Sequence, residues 1–499
     1  MKISDTLTGQ KTEFKPLGDT VTMYVCGINP YADSHIGHAM SYIIFDVVRR
    51  YLEFRGYKVK HVENVTDVED NIINHANRLG ITVKELTEKY TLRYFEDMAA
   101  LNILKPHFTP KATETILEII NMAKGLIDKG FAYAVGGNVF FRVPKLTDYG
   151  KLSKRNPDQM MAGARVEAAE NKEDPMDFAL WKAAKPGEPA WDSPWGKGRP
   201  GWHIECSAMS MKFLGEQIDI HGGGQDVVFP HHENEIAQSE SFTGKKPFVQ
   251  HWMHNGLLQL GGEKMSKSLG NLITIREALE KYTPDGLRIF YLSSYYRSPL
   301  TYTQEAIEAA QTGADRLQRT VSKETTGKGS PLDAQPYYNK FVEVMDDDFN
   351  TPQAIAALFD LARDINRAEE EGKDVAKARQ MLQRLGGVLG LTFKRKDEAP
   401  LDPKALTEKV QYIIQEIETA ANSEKEKQIR EFSIAFLDKV KESLNTNDEI
   451  TIITALLDAR GSYKKTRLFL QADTIRNGLA DLGIELKDTP QGTTWKQKH

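Results

Sequence analysis

The chain has 499 residues, of which 40% are hydrophobic and 27% charged, and its formal net charge is −5. This length predicts three or four domains of about 100–200 residues each, and the composition is that of an ordinary globular protein. The polar opening, and the lack of any apolar run near ~18 residues, argue against membrane and secreted classes. With only two cysteines, Cys26 and Cys206, a disulfide framework is excluded. The negative charge means that a polyanionic partner would have to be bound by local basic patches.

The first informative segment runs from Val21 to Asp67. An apolar, β-branched run up to Cys26 precedes a turn, a helix-period stretch spans about Ile36–Phe54, and a second strand-like run covers Tyr57–Val62. This βαβ pattern predicts an α/β fold with a doubly wound parallel sheet, whose ligands bind at the carboxyl ends of its strands. The sequence places Cys26 at that end.

The rest of the chain divides by periodicity and composition. Helical periodicity dominates residues 83–129, and a Pro/Gly/Trp-rich segment at 185–200 ends a region that we interpret as an insertion into the sheet. Strand-like, glycine-rich sequence resumes at 201–226, a helix is predicted from His231, and 261–271 is a predicted loop. From about Tyr282 the pattern is almost entirely helical, with a charged linker near 394–403.

A histidine pair lies where the first strand turns into the first helix. His35 and His38 are at i and i+3, on one helical face and near the amino-terminal N–H groups that attract phosphate. Gly37 between them leaves room for a flat base to approach the backbone. The alternative is an ordinary surface helix that begins with two histidines, but the βαβ context favours a nucleotide site.

A second basic motif is the loop Lys264-Met265-Ser266-Lys267-Ser268. Two lysines on a flexible loop can close on a triphosphate and neutralise the charge that develops as pyrophosphate leaves. The alternative is a solvated lysine loop. The sequence has no GxxxxGK[ST] motif, so this is not a P-loop. Gly196–Gly201 matches GxGxxG, but it follows no strand and we interpret it as a Pro-rich loop.

Four residues form a candidate metal site. His231 and Glu235, at i and i+4 after Pro230, lie on one helical face, and with Cys26 and Cys206 they give two thiolates, an imidazole and a carboxylate. This set suits zinc if the fold brings it together. Either cysteine taken alone is better explained as a small buried side chain. The neighbouring His221 and His232 are interpreted as polar surface.

The chain resembles the class I aminoacyl-tRNA synthetases and, among them, the cysteinyl-tRNA synthetase family. The resemblance covers nearly the whole chain and rests on the segments YVCGINPYADSHIGHA, NVTDVEDNI, YGKLSKRNPDQMMAGARVE, DFALWK, GRPGWHIECSAMS, HGGGQDVVFPHHENEIAQSE, GEKMSKSLGN and ADTIRNGLADLGIELKDTPQGTTW. It implies a Rossmann-like catalytic domain at 1–112 and 201–255, a connective insertion at 113–200, a KMSKS loop and stem-contact region at 256–320, a helical bundle at 321–395 and an anticodon-binding domain at 396–499.

The resemblance also implies a reaction and a set of roles. The chain would activate L-cysteine with ATP and Mg²⁺, release pyrophosphate, and pass the cysteinyl group to the 3′ end of tRNA(Cys). One Zn²⁺ per chain, held by Cys26, Cys206, His231 and Glu235, would select the substrate thiolate. Four protein ligands normally describe a closed site, so this metal would have to accept a fifth ligand or loosen its carboxylate. The residues implied to bind ATP are His35, Gly37, His38, Lys264, Ser266 and Lys267. Those implied to line the cysteine pocket are Gly27, Thr66, Trp202 and Asp226.

The terminal segment has a local excess of basic residues, which is typical of a tRNA-binding tail. A solvated helix face is the alternative. By resemblance, Asp473, Arg476 and Asp488 would read base edges and Trp495 would stack on an anticodon base. The stretch at 397–449 departs most from the family, and its topology stays open.

Three other functions compete with a synthetase. One is a ligase that joins cysteine to an amino sugar, and the terminal ADTIRNGLADLGIELKDTPQGTTW segment argues against it. The others are a tRNA-binding paralogue without turnover and a zinc hydrolase. The intact histidine and lysine motifs argue against the paralogue, and the lack of a ligand triad with a free general base argues against the hydrolase. We expect a cytoplasmic monomer without membrane contact.

Overall fold

The computed structural model describes residues 1–155, 172–261, 263–264, 272–323, 327–394, 403–423, 427–444, 449–489 and 492–497. The chain forms two compact units, Met1–Lys394 and Arg395–His499. Within the described part, no helix has the length and apolar character needed to cross a membrane.

The first unit is built around a parallel sheet. An antiparallel pair, β1 (Lys2–Asp5) and β2 (Gln10–Glu13), precedes it. The sheet contains β3 (Thr20–Ile28), β4 (Lys58–Val65), β9 (Ile218–Gly224) and β10 (Val249–Asn255), in the order β10-β9-β3-β4. Alternate residues of β3 face opposite sides: Met23 and Val25 pack with the first helix, whereas Tyr24 packs with Cys206 and its neighbours. The predicted doubly wound parallel sheet is confirmed.

The first helix, α1, spans Ile36–Phe54, as the periodicity predicts. His35 caps it, because its Nδ1 accepts from the backbone N–H groups of Gly37 at 3.1 Å and His38 at 3.3 Å. The ring of His38 in turn accepts from the N–H of His35 at 3.2 Å. The two histidines therefore close the first turn of the helix as a capping box.

Helices α2 (Asp70–Leu79), α3 (Val83–Ala100) and α4 (Ile116–Asp128) follow β4. The predicted helical stretch at 83–129 is interrupted between α3 and α4, where isolated bridges join Val62 to Phe108 and Val65 to Lys111. This irregular segment adds backbone to the free edge of β4, which protects it.

The insertion contains an antiparallel sheet in the order β5-β6-β7-β8: β5 (Ala132–Val135), β6 (Asn138–Phe141), β7 (Phe178–Ala183) and β8 (Gly198–Pro200). The interpretation of Gly196–Gly201 as a loop is wrong in part, since its middle is strand β8. The strand-like prediction for 201–226 is right for β9 but wrong for its first part, because Trp202–Leu214 is a helix, α5. All residues from Ile204 to Ser210 are buried, so this helix has no polar face to reveal its period.

Helix α6 spans Glu233–Thr243 and begins two residues after the predicted start, because Val228–His232 forms a separate wider turn before it. A small sheet follows, in the order β12-β11-β13, from β11 (Leu258–Leu260), β12 (Glu263–Lys264) and β13 (Leu300–Tyr302). Of the predicted loop at 261–271, residues 262 and 265–271 lie outside the described residues.

The predicted helical region after Tyr282 is confirmed. Its helices in the first unit, together with one that precedes Tyr282, are α7 (Ile275–Lys281), α8 (Pro284–Leu292), α9 (Gln304–Ser322), α10 (Gln335–Met345), α11 (Thr351–Glu370) and α12 (Ala376–Val388). They share one hydrophobic core with α1 and one face of the parallel sheet.

The second unit has its own core, centred on Ile413, Leu456, Tyr463 and Leu479. Its elements are α13 (Pro403–Ser423), α14 (Lys427–Ala435), α15 (Asp438–Ser443), α16 (Glu449–Lys465), α17 (Phe469–Asp481), β14 (Ile484–Thr489) and β15 (Gly492–Gln497). The two strands pair as an antiparallel hairpin. Residues 395–402 of the predicted linker lie outside the described residues.

Candidate active site and metal centre

The four predicted metal ligands meet at the carboxyl end of the parallel sheet. Cys26 comes from β3, Cys206 from α5, His231 from the turn before α6, and Glu235 from the first turn of α6. The two Sγ atoms are 4.0 Å apart, and Nε2 of His231 lies 3.1 Å from Oε1 of Glu235. Cys26 Sγ lies 3.8 Å from the same oxygen. The fold therefore brings together residues that are up to 209 positions apart.

The chemistry and spacing of these donors fit zinc. Two sulfurs at the usual Zn–S distance of ~2.3 Å in a tetrahedral site are roughly 3.8 Å apart, and the observed separation is 4.0 Å. A carboxylate and an imidazole complete a set that a borderline-soft cation prefers. Cys206, His231 and Glu235 are almost completely buried, which excludes competing water.

His232 is a further donor at this site. Its Nε2 lies 3.2 Å from Cys26 Sγ, and its Nδ1 lies 2.7 Å from Nε2 of the buried His254. One donor atom each from Cys26, His231, His232 and Glu235 lie within 4.8 Å of one another. The interpretation of His232 as polar surface is wrong, because its side chain is fully buried. The i, i+3 spacing of His232 and Glu235 was the sequence signal for this fifth candidate.

His221 is also buried, against expectation. Its Nε2 lies 2.9 Å from Oε2 of Glu235, and its ring stacks on Trp252 with centroids 4.6 Å apart. One oxygen of Glu235 is thus fixed by His221, while the other faces the thiols. A partner of this kind sets the orientation of a carboxylate ligand.

Neighbouring groups in this cluster shift one another's pKa values. Burial raises the pKa of Glu235, but His221 and His231 outweigh it and hold that pKa at about 2. For His231 burial lowers the pKa, and the opposite effects of Cys206 and Glu235 raise it to about 10. A hydrogen bond with Cys26 lowers the pKa of Cys206 to about 6. Burial, and then the neighbouring Cys206 and Glu235, raise the pKa of Cys26. The site thus favours one thiolate, that of Cys206, beside the carboxylate of Glu235, and these charged forms are the ones that bind a cation.

The four residues predicted to line the cysteine pocket differ in their burial and in their contacts. The indole of Trp202 stacks on His231, with centroids 4.4 Å apart. Thr66 is buried at the end of the sheet. Gly27 approaches the neighbouring strand so closely that a Cβ would lie 1.6 Å from the carbonyl oxygen of Asn64. Asp226 lies in the short turn after β9 and is exposed.

The structure describes the histidine motif and only the first residue of the lysine motif, the two motifs predicted to bind ATP. The rings of His35 and His38 stack with centroids 3.7 Å apart at the start of α1, next to the N–H of Gly37. The backbone of Lys264 ends the β11–β12 hairpin. Ser266 and Lys267 lie outside the described residues. The segment after this loop is joined to the histidine motif, because the N–H of Ile36 donates to the carbonyl oxygen of Ile273 at 3.0 Å.

Comparisons with known protein families identify the family of this chain. The model for tRNA synthetases class I (C) catalytic domain matches residues 13–312, and the DALR domain model matches residues 340–394. Among curated relatives, a cysteine–tRNA ligase of Dehalococcoides mccartyi is 50% identical over 100% of both chains. Those of Geobacter metallireducens and Thermococcus gammatolerans are 46% and 45% identical over 100% of this chain and 100% and 99% of theirs.

The chain belongs to the cysteine–tRNA ligase family. Solved structures agree with this family at the level of the fold. A Mycobacterium tuberculosis methionyl-tRNA synthetase bound by methionyl-adenylate matches with a TM-score of 0.52 and 16% identity, over 76% of this chain and 88% of that chain. The LeuRS–tRNA–LeuAMS complex of Agrobacterium radiobacter K84 matches with a TM-score of 0.54 and 11% identity, over 76% and 84%. The predicted class I architecture is confirmed, and tRNA is the partner that the family and its DALR domain indicate.

The residues predicted to contact the anticodon lie in the second unit of this ligase-family chain. Asp473 and Arg476 are exposed on α17. Asp488 is instead engaged within the chain, since Arg460 Nη1 donates to it at 2.8 Å and Lys464 Nζ at 3.0 Å. Trp495 pairs with Leu486 across the hairpin and packs against the core of this unit. Their roles at the anticodon stay predictions.

Proposed function

We propose that this ligase attaches L-cysteine to tRNA(Cys) in two steps, using ATP with Mg²⁺, and that one zinc ion held by Cys26, Cys206, His231 and Glu235 selects the amino acid. The observation that carries the proposal is the convergence of two thiols, an imidazole and a carboxylate at the carboxyl end of the parallel sheet. In open α/β folds this edge is where ligands bind. Family membership supplies the reaction class.

In this proposal the metal ion selects cysteine over serine. When bound, zinc supplies a strong preference for a thiolate over the hydroxyl of serine, so the two amino acids are separated at binding and no editing step is needed. The chain keeps water from this site: the indole of Trp202 stacks on His231, and Thr66 and Cys206 are buried. His232 offers a further nitrogen beside Cys26, which gives the site more donors than a closed tetrahedral set needs. Asp226, at the end of β9, is the proposed partner of the substrate ammonium.

Activation uses the two histidines and the lysine loop. The carboxylate of cysteine attacks the α-phosphate of ATP, giving cysteinyl-adenylate and pyrophosphate. A hydroxyl of the terminal ribose of tRNA then attacks the acyl carbon, the acyl–phosphate bond breaks, and AMP leaves. The positive end of the α1 dipole attracts the phosphates, with His35 and His38 beside them. Gly37 lies under the adenine, and Lys264, Ser266 and Lys267 neutralise the charge that develops on the leaving pyrophosphate. Positioning and charge neutralisation supply most of the acceleration in such a reaction.

The testing experiment is ATP–pyrophosphate exchange on zinc-loaded protein, with L-cysteine and with L-serine as control, followed by aminoacylation of bulk tRNA. Exchange with cysteine alone and cysteinylated tRNA support the proposal. Exchange without acylated tRNA would instead favour a ligase that uses a small acceptor. Equal exchange with serine would overturn selection by the metal. A cytoplasmic location and a monomeric state stay predictions.

A further inference from the structure

A chain of hydrogen bonds connects the residue after Cys26 with the residue before Cys206. The N–H of Gly27 donates to Oδ1 of Asn64 at 2.9 Å, and Nδ2 of Asn64 donates to Oγ1 of Thr66 at 3.2 Å. The hydroxyl of Thr66 then donates to Oε2 of Glu205 at 3.1 Å. We name Gly27, Asn64, Thr66 and Glu205 the inter-cysteine relay.

The three side chains of the relay are buried. Asn64 is 3% exposed, Thr66 2% and Glu205 0%, so water does not compete for their hydrogen bonds. Leaving such groups without partners costs about 1–3 kcal/mol each, and more for a carboxylate. The second oxygen of Glu205 has no hydrogen-bond partner among the described residues, so the Thr66 hydroxyl is the partner that holds this side chain.

The relay joins elements that are distant in sequence. Gly27 lies near the end of β3, Asn64 and Thr66 come from the end of β4, and Glu205 lies on the first turn of α5. The N–H of Thr66 also donates to the carbonyl oxygen of Ile28 at 2.9 Å, which fixes the end of β4 against β3. Neither thiol is part of the relay, but each belongs to a residue next to one of its ends.

The consequence lies in the distance between the thiols. Cys26 and Cys206 are 180 residues apart in the chain, yet their sulfurs stand 4.0 Å apart, close to the roughly 3.8 Å that a tetrahedral zinc ion requires. A rotation or shift of α5 by 1 Å relative to the sheet would spoil this separation. The Thr66–Glu205 bond restrains α5 one residue from Cys206.

We propose that the inter-cysteine relay positions the two thiols for the metal ion, with Thr66 as its central residue. The inference rests on the proposed zinc site and deepens it: the relay residues act on the metal through the backbone of Gly27 and Glu205, without touching it. Partners of this indirect kind typically change metal affinity by about 10–100-fold when removed.

The test measures metal binding to the full chain without substrates. Thr66→Val keeps the shape of the side chain and removes both of its hydrogen bonds. We expect zinc affinity, measured by competition with a chromophoric chelator, to fall by about 10–100-fold. We also expect the visible absorption of the Co²⁺-loaded protein to change in position and intensity. Glu205→Gln keeps an oxygen that accepts from Thr66, so its affinity and spectrum should stay close to those of the unaltered protein.

Thr22→Val is the matched control. The Thr22 hydroxyl also both gives and receives a hydrogen bond, donating to Oδ2 of Asp219 at 2.7 Å and accepting from the N–H of Asp219 at 2.9 Å. Thr22 lies on β3 four residues before Cys26, about 13 Å away along the strand. Its replacement should lower the melting temperature and leave zinc affinity and the Co²⁺ spectrum unchanged.

The outcomes separate this inference from the proposed function. If the unaltered protein binds neither zinc nor Co²⁺, the metal site itself is wrong. If it binds them and Thr66→Val binds equally well, the relay is overturned while the metal site stands. Equal losses in Thr66→Val and Thr22→Val would also overturn the relay, because they would reflect general loosening. So would a Glu205→Gln loss as large as that of Thr66→Val.

Discussion

His221 and Glu235 form a fully buried pair, with Nε2 of the imidazole 2.9 Å from Oε2 of the carboxylate. This contact leaves Oε1 of Glu235 facing His231 at 3.1 Å and Cys26 Sγ at 3.8 Å. The orientation of a candidate ligand is thus decided by a residue that contributes no donor itself.

Replacing His221 by phenylalanine tests this pair. The ring stays large enough to stack on Trp252, but Oε2 of Glu235 loses its partner. We expect zinc affinity to fall by about 10–100-fold in chelator competition. His251→Gln is the control, since His251 is also a buried histidine of the sheet but packs against Phe14. Unchanged affinity in His221→Phe would refute the orienting role.

The buried carboxyl of Glu63 should make the stability of the folded protein depend on pH. Burial raises its pKa to about 7, although the Tyr94 hydroxyl donates to it. Because its pKa is higher in the folded state than the ordinary value of 4.5, the protonated carboxyl stabilises the fold. This stabilisation is fully present below pH 4.5 and is lost as the pH rises through about 7. The shift corresponds to about 3 kcal/mol.

Glu63→Gln removes the titration while leaving an acceptor for Tyr94. We expect the melting temperature of the variant to change less between pH 5 and pH 8 than that of the unaltered protein, and to exceed it at pH 8. Thermal unfolding at four pH values measures the difference. Parallel pH profiles for the two proteins would contradict the prediction.

Arg288 is predicted to stabilise the first unit strongly. It is fully buried, pairs with the buried Asp46 of α1, and donates to the carbonyl oxygens of Leu101 and Leu389. Arg288→Met leaves Asp46 with one fewer positive partner, and breaking a buried pair costs about 3–5 kcal/mol. Arg363→Met is the control, because Arg363 and its partner Asp360 are 54% and 53% exposed. The expected loss of stability there is within about 0.5 kcal/mol. Similar melting temperatures for both variants would disprove the claim.

Gly27→Ala should slow the activation of cysteine by about 100-fold. The new Cβ would overlap the Asn64 carbonyl, forcing the end of β3 around Cys26 to move. A displacement near 1 Å at a reacting site costs about 100-fold in rate, which ATP–pyrophosphate exchange measures. Gly461→Ala is the control: its Cβ meets no atom within 4 Å in the middle of α16, so exchange should not change and stability should rise by roughly 0.5–1 kcal/mol. Normal exchange in Gly27→Ala would refute the steric argument.

Arg476→Ala separates tRNA binding from activation. Arg476 is exposed on α17, so its removal should not disturb the core of the second unit. If it reads an anticodon base, aminoacylation should show a KM for tRNA(Cys) raised by the equivalent of about 1–3 kcal/mol, with pyrophosphate exchange unchanged. An unaltered KM would remove Arg476 from the proposed interface.

The sequence alone determined the features that depend on near neighbours. The βαβ unit and the bounds of α1 follow from periodicities of two and 3.6. The four-residue spacing of His231 and Glu235 marked them as neighbours in the candidate site, although His231 lies in the turn before α6. The motifs of the synthetase family were enough to name both cysteines as ligands. These signals need no knowledge of the rest of the fold.

Only the tertiary structure decided which side chains are buried and what they pair with. The strand-like prediction fails for α5, because every residue from Ile204 to Ser210 is buried and that stretch has no exposed polar stripe. The prediction that His221 and His232 lie at the surface is wrong, because both rings pack against Trp252 beside the candidate metal centre. Asp488 pairs with Arg460, 28 residues away, and Thr66 with Glu205, 139 residues away. Such pairings depend on how elements pack in space, and no local periodicity encodes that packing.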